Sequence, residues 1–340
     1  MITKKLLINK ESYENSINEA AAILNDGGIV AIPTETVYGL AASAKSDTAI
    51  KKVFEAKGRP QDNPLIVHIS NMDMLNFVAK DIPEKALDCA KRFWPGPLTM
   101  VLPRTDYTAP SVSAGLNSVA VRMPSHKTAL DIIEISGLPL AAPSANVSGS
   151  PSPTSPFHVE NDLNGKIDAI VYDNECAVGV ESTVISFCVN PPRLLRPGAV
   201  TKEQLLEIIP DLAVDKAVLK EPEKDAKVES PGMKYKHYAP KTSVFLVEGD
   251  SDEFIKFVNS EKDCSAICFY EEFNQITVPK LSYGEGENEE SLAKGVFSAL
   301  REIDNLNLEK VYIHAPSKTG IGLAVYNRLL RAAAFRVIKL

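Results

Sequence analysis

The signatures of several common enzyme classes are missing from this chain. It has no Walker A loop, no G-x-S-x-G elbow, no H-E-x-x-H and no cysteine-ligand pair, which excludes the most general nucleotide, hydrolase and zinc motifs. Cysteine is scarce and scattered. Of Cys89, Cys176, Cys188, Cys264 and Cys268, only the last two are close. Their C-x3-C spacing fits neither a zinc finger nor a redox motif, so reduced and mostly buried thiols are expected. Positive charge is not in excess either. A formal charge of -7 argues against a general nucleic-acid or anionic-membrane binder, because such proteins attach through a positive field over much of their surface. A local cationic pocket is still allowed. No apolar run approaches a membrane span, and MITKKLLINKESYENS has too short an apolar stretch for a signal peptide, so a cytoplasmic location with no membrane partner is expected.

What is present reads as an ordinary globular protein, with 44% hydrophobic and 24% charged residues. At 340 residues two domains are expected. NSINEAAAILNDGG has helical apolar spacing and ends in a glycine pair, and IVAIP follows as a buried strand. SDTAIKKVFEAKGRP begins with a Ser/Asp cap and stops at Gly58, with LIVHI as the next strand. The alternation continues through PEKALDCAKRFW, LTMVLP, VAVRMP, HKTALDIIEISG and LPLAAPSAN. The short strand-like pieces IDAIVYD, ESTVISF and PRLLRPG predict a mixed rather than a purely parallel α/β sheet.

From Asp211 to Pro240 the pattern breaks down, and KEPEKDAKVESPG reads as an exposed linker. SPGMKYKHYAP, Ser230 to Pro240, differs in carrying two tyrosines, a histidine and two lysines, as a docking segment would. After Lys241 a second βα alternation predicts a small Rossmann-like domain. Gly320 and Gly322 open a helix there, yet Val325 stands where the dinucleotide fingerprint needs its third glycine, so a plain tight turn is favoured over a nucleotide site.

Four stretches place polar or cationic groups directly after apolar strands, in loops stiffened by Pro or Gly. They are PTETVYGL, KGRPQDNPLIVH, PSANVSGSPSPT, and GVESTV with LLRPG. Each has a plain structural explanation. Thr34 and Thr36 suit a strand end; Lys57 and Arg59 suit a helix C-terminus; His68 suits a core; Ser144, Asn146, Ser148 and Ser152 suit turns. Arg122, within VAVRMP, is different, because a guanidinium among apolar neighbours needs an anionic partner. Together, Lys57, Arg59, Arg122 and Arg196 with nearby Thr, Ser and Asn donors read as an anion site.

PTETVYGL, the K-x-R of KGRPQDNPLIVH, WPGPLT, VAVRMP, APSAN, ESTV and LLRPG, in this order, resemble the YrdC-like domain of the threonylcarbamoyl-AMP synthase family. SPGMKYKHYAP followed by a small α/β domain resembles that family's two-domain form. The resemblance implies a twisted mixed sheet with flanking helices over residues 1–210, a linker over 211–241 with a possible lid at 230–240, and a Rossmann-like α/β domain over 242–340. It implies a nucleotidyltransferase reaction in which L-threonine, bicarbonate or CO2, and ATP give threonylcarbamoyl-AMP and pyrophosphate. The product would pass to a partner complex that modifies an adenosine of tRNA, with no stable nucleic-acid binding by this chain itself.

By the same resemblance, threonine is held by Thr36, His68, Arg122, Ala142 and Ser182. ATP is held by Arg59, Asn63, Ser118, Ser144, Asn146, Ser152, Arg196 and Tyr235. Lys57 and Arg59 are the candidate catalytic cations, and Lys57 and Asn146 are expected near the phosphate or carbamate. Pro60 and Pro64 are read as fixing the backbone so that Arg59, Asn63 and His68 face one cavity. Mg2+ is expected to arrive on ATP without protein ligands of its own; Glu35 and Glu181 are either second-shell groups or plain structural or exposed carboxylates. Tyr235, Tyr238 and His237 could close over the filled cavity, or the segment could be a strap between domains. The competing readings are a double-stranded-RNA module, a carbamoyl-AMP enzyme, for which the paired C-x-x-C elements and acylphosphatase-like region are lacking, and a nucleotide-sensing regulator.

Overall fold

The computed structural model of the protein describes residues 2–221 and 238–340. The first part is built on strands β1 (Lys4–Leu7), β2 (Val30–Ile32), β3 (Gly39–Ser43), β4 (Ile66–His68), β5 (Leu98–Pro103), β6 (Ser118–Arg122), β7 (Leu140–Ala141), β8 (Ala169–Tyr172), β9 (Thr183–Ser186), β10 (Arg193–Arg196) and β11 (Ala213–Val214). They form one sheet in the order β1-β8-β2-β3-β7-β4-β6-β5-β9-β10-β11. The pairing is mixed, as expected: β4 runs parallel to β6, whereas β5 is antiparallel to β6 and β3 to β2. Helices α1 (Tyr13–Asn25), α2 (Asp47–Lys57), α3 (Met72–Val78), α4 (Glu84–Phe93), α5 (Lys127–Ser136), α6 (Pro156–Leu163) and α7 (Lys202–Leu206) accompany this sheet.

Strong periodicity translated directly into structure. In α1, Ile17, Ala20, Ala21 and Leu24 are buried as one i, i+3, i+4, i+7 stripe. α2 starts at Ser46, whose side chain accepts a hydrogen bond from the Ala49 N–H, and ends at Gly58 with φ 59°. That left-handed turn sends the chain back so that Lys57 and Arg59 leave the helix end together. Several elements were not anticipated, β1 and β11 among them. β3 arises within PTETVYGL and beyond it, and α3 is a short helix capped by Asn71. α6 begins at Pro156 inside PSPTSP, where proline at a first helical position is compatible with the helix although it reads as a turn.

The second part is a five-stranded, wholly parallel sheet of β12 (Ser243–Glu248), β13 (Cys264–Cys268), β14 (Lys280–Ser282), β15 (Lys310–His314) and β16 (Val337–Lys339), in the order β14-β13-β15-β12-β16. Helices α8 (Ser251–Ser260), α9 (Glu289–Glu302) and α10 (Gly322–Ala332) connect it. The glycines at its last turn have a local cause. Glu289 accepts from the Gly322 N–H at 3.0 Å and from Ser317 Oγ at 2.5 Å, so a carboxylate of the chain itself occupies the α10 N-terminus. A Cβ at Gly320 would lie 2.5 Å from that carboxylate.

Residues 211–218, read as exposed linker, are partly built into the fold. Ala213 and Val214 pair with Arg193 and Leu194, and Ala217 and Val218 are buried. Two residues with strand propensity beside an unpaired edge were enough to extend the sheet. Of the proposed lid residues, Tyr235 and His237 lie outside the described residues, whereas Tyr238 is described and buried.

The two parts touch where the cavity loops emerge. Val37 and Val180 belong to the same apolar cluster as Leu292, Ala293, Val296 and Phe297. At Gly179, φ 84°, a Cβ would fall 2.4 Å from the Lys294 Cα, so only glycine lets α9 approach this closely.

Candidate active site

A cleft of about 740 Å3, its open mouth included, gathers the polar loops at the carboxyl ends of β4 and β6. Parallel pairing sets His68 beside Arg122 at the ends of these strands. Across from them, the 33–38 loop is folded by Thr34, whose Oγ1 donates to the Val37 carbonyl at 2.6 Å and accepts from the Val37 N–H at 3.2 Å. This turn presents Thr36 to the cleft.

Arg122 has the anionic partner that the sequence demanded. Its Nη2 lies 2.8 Å from Glu35 Oε2, and its Nη1 donates to Thr36 Oγ1 at 2.8 Å. The approach to Glu35 lacks hydrogen-bond alignment, so Nη2 makes no hydrogen bond among the described residues. Burial alone would raise the Glu35 carboxyl, but the guanidinium beside it outweighs this and holds it below its usual range. Glu35 is therefore buried rather than exposed, and it is the counter-charge that allows a buried guanidinium to face the cleft.

His68 is buried, and desolvation followed by the nearby Arg122 charge pushes it down to about 3. It is a neutral imidazole in the working range, with Nδ1 unpartnered among the described residues. The sign of its linkage follows. Below pH 6.5 the unfolded chain takes up a proton that the folded chain refuses, so stability falls as pH falls from about 6.5 toward 3, by up to about 1.4 kcal/mol per unit for this one group. His68→Gln should flatten the pH dependence of unfolding free energy in that window, as followed by urea titration at several pH values; an unchanged slope would show that the histidine is not buried neutral.

Lys57 reaches the cleft wall, yet its ammonium donates to the carbonyls of Ser144 at 2.5 Å and Asn146 at 2.7 Å. Burial, then the Arg59 charge, lowers its affinity for a proton well below the usual lysine value. The Ser148 N–H also bonds the Lys57 carbonyl at 2.8 Å. Lys57 thus shapes the 144–148 loop. Arg59 turns its guanidinium toward the carbonyls of Asn63 and Pro64 while lining the cleft.

On the far wall, Arg196 donates through Nε to the Ser182 carbonyl at 3.0 Å and through Nη2 to Ser182 Oγ at 3.2 Å, with Thr99 Oγ1 2.7 Å from that hydroxyl. Burial and then Arg328 pull the Arg196 guanidinium down to about 10, which still leaves it charged at neutral pH. Glu181 lines the same wall and accepts from Ser152 Oγ at 2.5 Å and Arg328 Nε at 2.6 Å. Burial works against its charge, and Arg328 and Arg196 more than restore it.

Of the expected residues, Thr36, Lys57, Arg59, His68, Arg122, Ala142, Ser144, Asn146, Ser182 and Arg196 line one cleft. Asn63, Ser118 and Ser152 do not. Asn63 is buried beneath Arg59 with neither side-chain polar atom hydrogen-bonded among the described residues, so the two prolines do not turn all three of Arg59, Asn63 and His68 into the cavity. Ser118 lies on the Arg122 face of β6 but four residues earlier, roughly 13 Å away at strand spacing. Ser152 is wholly buried and reaches the cleft only through Glu181. Tyr235 lies outside the described residues. Tyr238, three residues on and one of the two tyrosines read as able to fold over the cavity, does line the cleft, as do Ser150 and Glu181; no site was expected at Ser150. Among the described residues no group of three His, Cys, Asp or Glu could hold a metal.

Known proteins are similar to both parts of the chain. The family described as "Telomere recombination" (Sua5, YciO and YrdC) matches residues 22–198, and "Threonylcarbamoyl-AMP synthase, C-terminal domain" matches residues 200–334. Threonylcarbamoyl-AMP synthase of Pyrococcus abyssi is 45% identical over 98% of both chains. The Bacillus subtilis protein of the same name is 45% identical over 95% of this chain and 94% of its own. The crystal structure of P. abyssi Sua5 complexed with L-threonine superposes with a TM-score of 0.91 at 42% identity, covering 100% of each chain.

Proposed function

The chain belongs to the threonylcarbamoyl-AMP synthase family, and from that premise we propose how its cleft divides the work. The enzyme forms threonylcarbamoyl-AMP and pyrophosphate from L-threonine, bicarbonate or CO2 and ATP, for threonylcarbamoyladenosine modification of tRNA. Two anion-forming steps are required: the threonine amine attacks carbon dioxide or bicarbonate, and the carbamate oxygen then attacks the α-phosphate. Repulsion between carboxylate, carbamate and triphosphate opposes both, so fixed cations and aligned donors should contribute most of the acceleration.

In this reading Arg122 takes the threonine carboxylate through its Nη2, with Thr36, neutral His68, the Ala142 backbone and Ser182 around the amino acid. Arg59, Arg196, Ser144 and Asn146 face the phosphates. Lys57 contributes by fixing the Ser144–Asn146 carbonyls. Ile66, Val101, Ala120, Val184 and Leu195 form a small buried apolar cluster that meets the cleft at Ile66, beside which the base of the nucleotide is placed in this reading. The single observation that carries the reading is that Arg59, Arg122, Ser144, Ser182 and Arg196 meet around one cleft.

Mg2+ would neutralise the departing pyrophosphate and travel on the ATP phosphates. The chain's own carboxylates near the cleft are already committed, Glu35 to Arg122 and Glu181 to Arg328. The product would be handed to a tRNA-modifying complex. We assign the enzyme to the cytoplasm, where ATP and tRNA meet; Cys89, Cys176, Cys264 and Cys268 are buried thiols, and no described helix is long and apolar enough to cross a membrane. Incubation with ATP, threonine and labelled bicarbonate tests the whole reading. Pyrophosphate release and label incorporation should both require all three substrates, and release that ignores threonine would overturn it.

A further inference from the structure

Arg328 lies on α10 of the C-terminal part, yet every polar atom it touches beyond Asn327 belongs to the cleft side. It is fully buried. Its Nε donates to Glu181 Oε2 at 2.6 Å and its Nη2 to the Glu181 carbonyl at 3.1 Å. Its Nη1 donates to the Pro197 carbonyl at 3.0 Å and to Asn327 Oδ1 at 2.9 Å. Glu181 and Pro197 are the chain neighbours of Ser182 and Arg196, the pair that forms the far wall. One planar fork from the second domain therefore fixes the spacing of the two segments on which that pair sits. A second arginine acts alike on the next segment: Arg301 of α9 donates to the Pro151 carbonyl at 2.5 Å, between Ser150 and Ser152, and forks onto Asp162 at 2.8 and 3.1 Å.

A buried arginine is often only a domain fastener. Two facts argue for more. The partner carboxylate, Glu181, itself lines the cleft and receives Ser152 on its other oxygen, and the Arg328 guanidinium lies 5.9 Å from the ring of Tyr238, another lining residue. Moving Arg328 thus displaces wall groups and not merely an interface.

We propose that Arg328 is a positioning residue of the synthase site, through which the C-terminal domain preorganises the Glu181–Ser182 and Arg196–Pro197 wall for ATP. The inference rests on the placement of the phosphates beside Arg196 given above. Removing the fork allows the wall to fluctuate, so ATP affinity falls; threonine, which shares only Ser182 of this wall and keeps Arg122 and Thr36, loses less.

Calorimetric binding of ATP and of threonine to the full-length protein tests this with Arg328→Lys, Arg328→Met, Glu181→Gln and the pair Arg328→Gln/Glu181→Gln, each with its melting temperature. Arg328→Lys, which keeps the charge but cannot reach Glu181 and Pro197 together, should weaken ATP about tenfold, the usual scale for loss of an orienting contact, with threonine affinity within about twofold. The pair removes one buried charge of each sign, so it should melt closer to wild type than Arg328→Met does and still bind ATP weakly. Recovery of ATP affinity along with melting temperature, or parallel loss of both ligands, would reduce Arg328 to a fastener and overturn the proposal. Wild-type protein that binds ATP but shows no threonine-dependent pyrophosphate release would instead refute the functional reading, and the binding comparison would still decide the role of Arg328.

Discussion

Arg122→Ala should raise the KM for threonine on the order of 10²-fold. Arg122 offers a buried, correctly pointed guanidinium with one hydrogen bond to Thr36 and an Nη2 held near Glu35 without alignment. A substrate carboxylate arriving there gains a charge-assisted contact in a site of low water content, and truncating one partner of such a pair typically costs about 2–5 kcal/mol. About 3 kcal/mol corresponds to roughly 10²-fold in affinity. The same substitution strands the buried Glu35 carboxylate, so it should also destabilise the fold, by about 3–5 kcal/mol. Stability and binding must therefore be separated. The pair Arg122→Gln/Glu35→Gln, neutral on both sides, should recover much of the melting temperature and none of the threonine affinity. Threonine saturation kinetics on that pair are decisive: near-normal KM would mean that Arg122 serves the core alone.

Arg196→Ala should lower kcat by about 10²–10³, the cost observed when one fixed donor to developing charge is removed. Two of its nitrogens are committed to Ser182, leaving Nη1 without a protein acceptor among the described residues and facing the cleft. Its guanidinium stays charged at neutral pH because its value near 10 lies well above the working range. Loss of a group that acts on charge formed during the attack on the α-phosphate depresses kcat more than ATP binding. Single-turnover pyrophosphate release, beside equilibrium ATP affinity, distinguishes this from a binding role. A rise in ATP Kd as large as the fall in rate would assign Arg196 to ground-state binding.

Much of the cleft was legible before any coordinates because its residues sit in short motifs after apolar strands, where the ends of parallel strands collect ligands. Arg122 announced itself by chemistry: a guanidinium within VAVRMP had to be paired. Which group paired it could not be read. Glu35 is 87 positions away, and its contact depends on the β2–β3 turn, whose second strand was hidden inside a loop-like motif. Lys57 illustrates the opposite limit. Its K-x-R position suggested a place near the phosphate or carbamate; the motif could not show that, while lining the cleft, its ammonium donates to two carbonyls of the returning 144–148 loop.

Side-chain period, caps and the order of motifs are local properties, so the chain by itself determined the mixed sheet, the smaller parallel one and the assembly of cationic and hydroxyl groups into an anion site. Burial and long-range pairing arise only when distant segments exclude water together. Tertiary structure alone therefore decided that His68 is neutral, that Asn63 is buried, and that a guanidinium from α10 reaches across to hold the wall behind Arg196.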